Sequence, residues 1–351
     1  MPSREPYMQR CLELAALGMG SVSPNPMVGA VIVHGRRIIG EGYHQRYGEA
    51  HAEVNAINSV LSKYDDAEEL LRDSTIYVSL EPCAHYGKTP PCADLIIKHG
   101  IPRVVVGCRD PFKQVDGKGI EKLQQAGIEV TTGVLETECK WLNRRFFTRV
   151  QQKRPYVILK WAQTADGFFA PADNQQLWIT GDESRRLVHK WRSEEDAILV
   201  GKYTVAIDNP QLNTRYWPGK SPKRVVIDRR LELAASSNIY DQSVETLVFN
   251  EVKTDIDGKI KYIALEDFER FVPQYILFQL YLQDIQSVII EGGAHTLNSF
   301  IEAGLWDEAR IFTGEAILGK GINAPCVTGA IAGESLIGND RLQIIYNKPK
   351  H

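Results

Sequence analysis

The sequence of 351 residues contains no apolar run that approaches the roughly 20 residues needed to cross a bilayer. Arg10 and Glu13 interrupt the apolar run of the N-terminal segment, whereas the core of a secretory signal is uncharged. An excess of basic residues is also missing, because 41 Lys and Arg stand against 44 Asp and Glu, for a net charge of −3. We therefore expect a soluble, cytoplasmic protein that binds neither membrane nor nucleic acid.

Cysteine is scarce for a chain of this length: six residues lie at positions 11, 83, 92, 108, 139 and 326. Without an export signal, such a wide spread favours thiol or metal chemistry over a disulfide framework. Hydrophobic residues make up 43% and charged residues 24%, which excludes wholesale disorder and collagen-like repeats. The length predicts about two domains.

The first part of the chain alternates segments of helical and strand periodicity. The predicted helices are 7–17, 51–60, 94–99 and 119–126, and the predicted strands are 28–33, 75–80, 103–107 and 128–134. Such alternation indicates a central sheet covered by helices on both faces.

A basic, Gln-rich connector at 144–154 precedes a second α/β series. Its predicted strands are 156–160, 197–201, 224–227, 246–249, 287–291 and 309–313, and its predicted helices are 182–192 and 294–303. We expect one domain at residues 1–146 and another at 147–351. No GxGxxG motif follows the first strand of the second domain, which argues against a Rossmann unit.

The strongest chemical signal is His51-Ala-Glu53 followed by Cys83 and Cys92, each cysteine preceded by proline. One imidazole and two thiolates suit zinc and leave its fourth position open for water. Glu53 can lie beside the metal without ligating it and can carry a proton to a leaving amine. This arrangement is the signature of zinc-dependent deaminases. The alternative is a structural zinc clip in a non-catalytic scaffold, in which His85 is the nearest candidate for a fourth ligand.

Eight residues, rather than the usual two, separate the cysteines. This loop, together with SPNPMVGA at 23–30 and GYH at 42–44, resembles the deaminase half of the bifunctional riboflavin-biosynthesis deaminase/reductase family, RibD or RibG. The resemblance implies a cytidine-deaminase-like, three-layer α/β/α domain at the N-terminal end.

In that family, residues matching Asn25, His44 and Lys88 contact the pyrimidine or its phosphate, so the resemblance implies the same roles here. Asn25 offers both a donor and an acceptor to a pyrimidine edge, and Lys88 offers a point charge to phosphate. A turn asparagine, a surface histidine and a solvated lysine are the alternatives. The family's RDPN segment is RDPF here, with Phe112 in place of the asparagine.

In the second domain, the strand at 287–291 runs into Gly292-Gly293 and then a helix. Two glycines let a phosphate approach the backbone at a helix N-terminus, although a plain tight turn has the same pattern. The segments KWAQTADG at 160–167, QLWIT at 176–180 and 201–215 follow in the order found in the reductase half of the same family. That half is dihydrofolate-reductase-like in fold and uses NADPH.

The resemblance assigns residues to each ligand of this domain. The residues expected to contact NADPH are Ala162, Trp178, Thr204, Asp208, Gly293, Ala294, His295, Thr296, Leu297, Asn298 and Ser299. Those expected against the substrate are Gln176, Arg192, Leu212, Arg215 and Glu291, with Gln176 standing where a serine is expected. Arginine forks suit a phosphorylated sugar, and surface salt bridges are their alternative role. Arg229 and Arg230 could receive a 2′-phosphate, which Asp228 would oppose.

The resemblance therefore implies a bifunctional enzyme, expected as a homo-oligomer, that acts on a small phosphoribosylaminopyrimidine. It would deaminate 2,5-diamino-6-(5-phosphoribosylamino)pyrimidin-4-one with zinc, then reduce 5-amino-6-(5-phosphoribosylamino)uracil with NADPH to the ribitylamino product. A deaminase acting on tRNA or DNA is the rival within enzymes. The net charge of −3 and the lack of an aromatic and basic stripe count against it.

Overall fold

The computed structural model describes residues 4–84, 90–112, 115–173 and 175–347. Its internal contacts separate two compact units, residues 1–152 and 153–351. The segment expected as a connector instead forms the helix Arg144–Gln152, because Arg145, Phe146 and Thr148 bury one of its sides. The units therefore part at the end of this helix, whereas the sequence placed the boundary after residue 146. Across the described ranges, every helix is too short or too polar to traverse a lipid bilayer.

The first unit contains the helices and strands expected from periodicity, and β2, α3, α6 and α7 are additional. Its helices are α1 (Glu5–Ala16), α2 (Ala52–Leu61), α3 (Ala67–Arg72), α4 (Cys92–Lys98), α5 (Lys118–Gln125), α6 (Glu136–Leu142) and α7 (Arg144–Gln152). Its strands are β1 (Gly29–His34), β2 (Arg37–Tyr43), β3 (Ser74–Leu80), β4 (Arg103–Cys108) and β5 (Glu129–Thr132).

A central sheet with the order β2-β1-β3-β4-β5 organises this unit. Strand β1 is antiparallel to its two neighbours, whereas β3, β4 and β5 are parallel. Alternate residues of β1 face opposite sides, and both sets are apolar. Ala30 and Ile32 belong to the core formed with α2 and α4, whereas Val31 and Val33 belong to the core formed with α1. The unit is a three-layer α/β/α sandwich.

Glycines let α2 lie directly on β2. A Cβ atom at Gly42 would lie 2.6 Å from the carbonyl oxygen of Ala52, and one at Gly40 would lie 2.7 Å from that of Ala56. Both distances are shorter than real Cβ contacts, so a side chain at either position would push the helix away. The close packing determines where the first turn of α2 lies.

The second unit is built on a larger sheet. Its strands are β6 (Tyr156–Gln163), β7 (Phe168–Pro171), β8 (Ala197–Gly201), β9 (Lys223–Ile227), β10 (Thr246–Asn250), β11 (Asp255–Asp257), β12 (Ile260–Ala264), β13 (Ser287–Ile290), β14 (Glu308–Thr313), β15 (Gly321–Asn323), β16 (Ala330–Ile337) and β17 (Asp340–Tyr346). Its helices are α8 (Asp182–Glu194), α9 (Lys202–Asp208), α10 (Val272–Leu282) and α11 (Ala294–Glu302), with a 3₁₀ turn at Asn238–Tyr240. All eight segments expected from the sequence are confirmed.

The sheet order is β11-β12-β10-β9-β8-β13-β6-β14-β17-β16, and β7 pairs separately with β15. The central strands β10, β9, β8, β13, β6 and β14 are mutually parallel. Helices α10 and α11 contribute Ile276 and Phe300 to the core on one face, and α8 contributes Trp191 to a core on the other. Because α9 packs on Ile198 and α11 packs on the opposite face, the connections after β8 and β13 diverge. A crevice at such a divergence is where open α/β sheets bind ligands.

Substituting Gly42→Ala should destabilise the first unit by about 1–3 kcal/mol, because the added methyl meets the backbone of α2. Gly333→Ala is the matched control, since a Cβ at Gly333 meets no atom within 4 Å. Urea unfolding, followed by circular dichroism, should show a lower urea midpoint for unfolding of the first unit in Gly42→Ala but not in Gly333→Ala. Equal midpoints in the two variants would contradict the tight packing of α2 on β2.

Candidate active sites

Three side chains of the first unit converge at the ends of secondary-structure elements. His51 is the residue before α2, Cys92 is the first residue of α4, and Cys83 follows β3. The Nδ1 atom of His51 lies 3.7 Å from the Sγ atom of Cys83 and 3.3 Å from that of Cys92. All three ligand atoms lie within 4.8 Å of one another.

This geometry fits zinc. A tetrahedral zinc ion with the usual bond lengths places a nitrogen and a sulfur ligand about 3.6 Å apart. The observed nitrogen-to-sulfur distances of 3.7 Å and 3.3 Å bracket that value. The donor set of one imidazole and two thiols leaves one tetrahedral position for a further ligand.

The surroundings of Cys83 favour the thiolate that a metal requires. The backbone N–H of Cys92, at the start of α4, donates to the Sγ atom of Cys83 at 3.3 Å. Hydrogen bonds from the Cys92 side chain and from His51 lower the pKa of Cys83 to about 4, although burial acts in the other direction. The positive end of the helix dipole adds to this effect.

Glu53 lies in the first turn of α2, two residues after His51, and is 3% exposed. Burial raises the pKa of its carboxyl to about 7, partly offset by the neighbouring His51. A dication at the ligand cluster would lower this pKa again. The carboxyl group is thus placed to exchange protons beside the metal position.

The two described side chains expected to hold the pyrimidine contact each other beside this cluster. The Nδ1–H of His44 donates to the carbonyl of Ala50 at 3.0 Å, so its Nε2 accepts from the amide of Asn25 at 3.1 Å. The His44 ring centre lies 5.4 Å from that of His51. The other expected contact, Lys88, and the ambiguous His85 lie outside the described residues.

Sequence reasoning missed Glu81, which organises the loop after β4. Its buried carboxylate accepts from the backbone N–H groups of Asp110 at 3.3 Å, Gly117 at 3.0 Å and Gly119 at 3.0 Å. Asp110 in turn accepts from the N–H of Phe112 at 2.8 Å, and burial raises the pKa of Asp110 to about 7. The only sequence signal was an acidic residue directly after a buried strand.

In the second unit, glycines line the crevice after β8 and β13. A Cβ atom at Gly292 would lie 2.8 Å from the hydroxyl of Thr204, and one at Gly201 would lie 2.5 Å from that of Thr296. Gly293 has a φ of +68° immediately before α11. Residues with side chains would therefore close the approach to the α11 backbone amides. The cradle fits a phosphate of a dinucleotide.

The remaining residues expected against NADPH divide into two groups. Ala162 on β6 is half-buried, and Trp178 is 63% exposed, with the Arg185 guanidinium 4.4 Å from its ring. In α11, however, Leu297 is fully buried in the core and the Ser299 hydroxyl donates to the Thr296 carbonyl. The Leu297 side chain faces the core, which leaves only its backbone for a cofactor. Asp208 ends α9, and Ala294, His295 and Asn298 lie on α11.

Two of the residues expected to contact the substrate, Arg192 and Glu291, form an ion pair. The Arg192 guanidinium donates to both carboxylate oxygens of Glu291, at 2.7 Å and 3.1 Å. Burial opposes ionisation of Glu291, but Arg192 and Lys160 hold its pKa at about 2. Lys160 on β6 begins the KWAQTADG segment and was not predicted as a site residue. The parallel pairing of β6 with β13 places it level with Glu291.

Three other residues of this group lie in different settings. The Leu212 side chain is 3% exposed and packs with Val200 and Val205, so only its backbone can reach a substrate. Arg215 and Gln176 are exposed. Among the described residues, the structure gives no hydrogen bond from Gln176 to the Arg192–Glu291 pair.

The residues considered for a 2′-phosphate have other partners. Arg229 forms ion pairs with Glu251 at 2.7 Å and Glu269 at 2.8 Å. Asp228 accepts from the backbone N–H groups of Glu232 and Leu233 and stabilises the turn after β9.

A zinc-ligand cluster with an adjacent buried carboxyl, followed by a glycine-lined dinucleotide cradle, defines a two-domain deaminase and reductase. Residues 1–108 match the family model for the cytidine and deoxycytidylate deaminase zinc-binding region, and residues 155–342 match that for the RibD C-terminal domain. The chain belongs to the riboflavin biosynthesis protein RibD family and is a bifunctional, zinc-binding deaminase and NADPH-dependent reductase.

Curated relatives and solved structures agree. The chain is 41% identical to riboflavin biosynthesis protein RibD of Aquifex aeolicus, covering 90% of this chain and 88% of the relative. It is 39% identical to the crystal structure of a diaminohydroxyphosphoribosylaminopyrimidine deaminase/5-amino-6-(5-phosphoribosylamino)uracil reductase from Thermotoga maritima, with a TM-score of 0.88, covering 97% and 98% of the two chains. Acinetobacter baumannii RibD is 33% identical, with a TM-score of 0.87 over 97% and 98%. The fold class, the two activities and the cofactors expected from the sequence are confirmed.

Replacing a cysteine ligand should remove zinc. We expect Cys92→Ser to lower bound zinc from about one ion per chain to a small fraction, because thiolates supply much of the affinity. Cys326→Ser changes an exposed thiol outside the cluster and serves as the control. Elemental analysis after dialysis against a chelator measures the difference. Full zinc content in Cys92→Ser would exclude Cys92 as a ligand.

Glu291 should make stability depend on acid pH. Its pKa is lowered from 4.5 to about 2, so its ionised form stabilises the folded chain above pH 4.5 and this contribution is lost as the pH falls towards 2. Glu291→Gln should therefore destabilise the chain most near neutral pH and progressively less in acid. Urea unfolding across pH measures this, with the exposed Glu302→Gln as control. A pH-independent difference would contradict the assignment.

Proposed function

We propose that the first unit hydrolytically deaminates 2,5-diamino-6-(5-phosphoribosylamino)pyrimidin-4-one at the carbon bearing the 2-amino group. The second unit then reduces 5-amino-6-(5-phosphoribosylamino)uracil with NADPH to the ribitylamino product. The observation that carries this proposal is the cluster of His51, Cys83 and Cys92 beside the buried carboxyl of Glu53. The two activities named for the similar Thermotoga maritima enzyme supply the substrate class.

His51, Cys83 and Cys92 are the proposed zinc ligands. Bound zinc supplies a water whose pKa is lowered to about 7, and therefore a nucleophile at neutral pH. The protein's own contribution is to place His51 and Cys92 at the starts of α2 and α4, and Cys83 where the backbone N–H of Cys92 donates to its sulfur and favours its thiolate. No fourth protein ligand is required in a catalytic site of this kind.

Glu53 is the proposed proton carrier. Its position two residues from His51 allows its carboxylate to accept a proton from the attacking water. The same carboxyl then returns a proton to the exocyclic nitrogen, so that the amine leaves as ammonia. Both transfers need a group that stays beside the metal position, and Glu53 is held there by burial in the first turn of α2.

Asn25 and His44 are proposed to bind the pyrimidine, and Lys88 its phosphate. The hydrogen bond between Asn25 and His44 orients the Asn25 amide next to the proposed zinc ligands. This position suits recognition of a ring with donors and acceptors on its edge. The neutral His44 ring, anchored on the carbonyl of Ala50, keeps that orientation.

In the second unit we propose that Gly293 to Ser299 hold the phosphates of NADPH through the α11 backbone, and that Thr204 and Asp208 of α9 contact the same cofactor. Ala162 and Trp178 are proposed to lie against the nicotinamide end. The substrate then lies between the Arg192–Glu291 pair and Arg215, with Gln176 and the backbone of Leu212 at its rim. Hydride transfer mainly requires this alignment of cofactor and sugar carbon.

The proposed assignment of activities follows the two units, with the functional boundary within or at the end of α7. We also propose a homo-oligomer in the cytoplasm that acts on no nucleic acid. Cytoplasmic conditions keep the ligand thiols reduced, as zinc binding requires. The even balance of charge in the sequence gives no broad basic face to attract nucleic acid.

Glu53→Gln should reduce ammonia release by about 10²–10⁴-fold, because the amide cannot carry the proton. Zinc content and NADPH oxidation with the deaminated intermediate should be unchanged, which makes the second unit an internal control. The exposed Glu69→Gln is the matched substitution on α3. Ammonia release at the wild-type rate in Glu53→Gln would refute the role of Glu53.

A further inference from the structure

Helix α8 contacts the segment 213–215 at two points one helical turn apart. The Arg192 guanidinium donates to the carbonyl of Asn213 at 3.3 Å, and the Nδ1 atom of His189 accepts from the backbone N–H of Arg215 at 3.2 Å. Residues three apart on a helix share one face, so both contacts come from the same side of α8. Arg192 simultaneously binds Glu291 at the end of β13.

His189 has the features of an anchor within a crowded site. Its side chain is buried, with 2% exposure for the residue, and its ring packs edge-on against Tyr216 with ring centres 4.8 Å apart. Arg215 itself is exposed, and its guanidinium donates to the side-chain oxygen of Asn213 at 3.0 Å. A buried ring thus holds the backbone of a residue whose charged end is open to a ligand.

The acceptor role requires a neutral ring. Burial lowers the pKa of His189 to about 4, and Arg192, Arg215 and Arg185 lower it further, whereas Glu291 acts in the opposite direction. The ring is therefore neutral throughout the neutral range, and the N–H of Arg215 directed at Nδ1 places its single proton on Nε2. A lysine or arginine at this position could not accept the N–H of Arg215.

We propose that His189 is a positioning residue of the reductase: it holds segment 213–215 so that the Arg215 guanidinium faces the phosphoribosyl group of the substrate. This inference rests on the proposed substrate role of Arg215. His189 does not touch the substrate, and its effect passes through the hydrogen bond to the Arg215 backbone. Loss of that bond leaves the segment more mobile, so the free energy needed to order it on binding weakens the affinity for the substrate.

The test compares H189L, which removes the acceptor, with H189N, whose side-chain oxygen occupies the place of Nδ1. We expect H189L to raise the KM for 5-amino-6-(5-phosphoribosylamino)uracil about 3- to 10-fold, as the loss of one hydrogen bond predicts. The kcat and the Kd for NADPH, measured by fluorescence, should change little. H189N should restore the KM to near the wild-type value, and R186A, an exposed cation on the same helix, should leave it unaltered.

A double-mutant cycle separates this role from a general structural one. If His189 acts through Arg215, H189L should add no further increase in KM to the R215A variant. Additive effects, an equal loss of NADPH binding in H189L, or failure of H189N to restore the KM would each overturn the proposal. If H189L does not fold, H189F, which also lacks an acceptor but keeps an aromatic ring against Tyr216, replaces it in the KM comparison and in the cycle with R215A. An unchanged KM in R215A would instead refute the proposed function of Arg215.

Discussion

Both sites depend on backbone segments approaching more closely than a Cβ atom permits. In the first unit, Gly40 and Gly42 let α2 lie on β2. This contact places His51, the residue before α2, among the candidate zinc ligands and the first turn of α2 beside them. In the second unit, Gly201 and Gly292 lie where a Cβ atom would meet the hydroxyls of Thr296 and Thr204. Side chains at these positions would displace the elements that carry the chemistry.

A second common feature is that buried charges are held by defined partners. Glu81 is satisfied by backbone N–H groups, so it stabilises a loop without needing a cation. Glu291 is satisfied by Arg192 and stays ionised. An unpaired charge in either place would be costly to bury. The two carboxylates therefore make their surroundings rigid, and rigidity is what alignment of a ring or a sugar carbon requires.

Much of the fold could be predicted because the sequence shows the apolar periodicities of strands and helices. The expected strand at 197–201 matches β8, and the alternation of helical and strand segments in the first unit predicted helices on both faces of its sheet, as the two cores around β1 show. Helix α10 was missed because its sequence, VPQYILFQLYL, is apolar over most of its surface and shows little periodicity. Helix α7 was missed because its basic, Gln-rich composition is typical of a linker, although packing buries one side.

The sequence by itself indicated the candidate ligand set of His51, Cys83 and Cys92 and the neighbouring Glu53, because metal preference and proton transfer depend on residue type and short spacing. Only the tertiary structure decided which residues act together across long separations. It paired Arg192 with Glu291, anchored Arg215 on His189, and turned the side chains of Leu212 and Leu297 into the core. The physical reason is that such contacts depend on the register of strands and the face of each helix, which spacing along the chain does not encode.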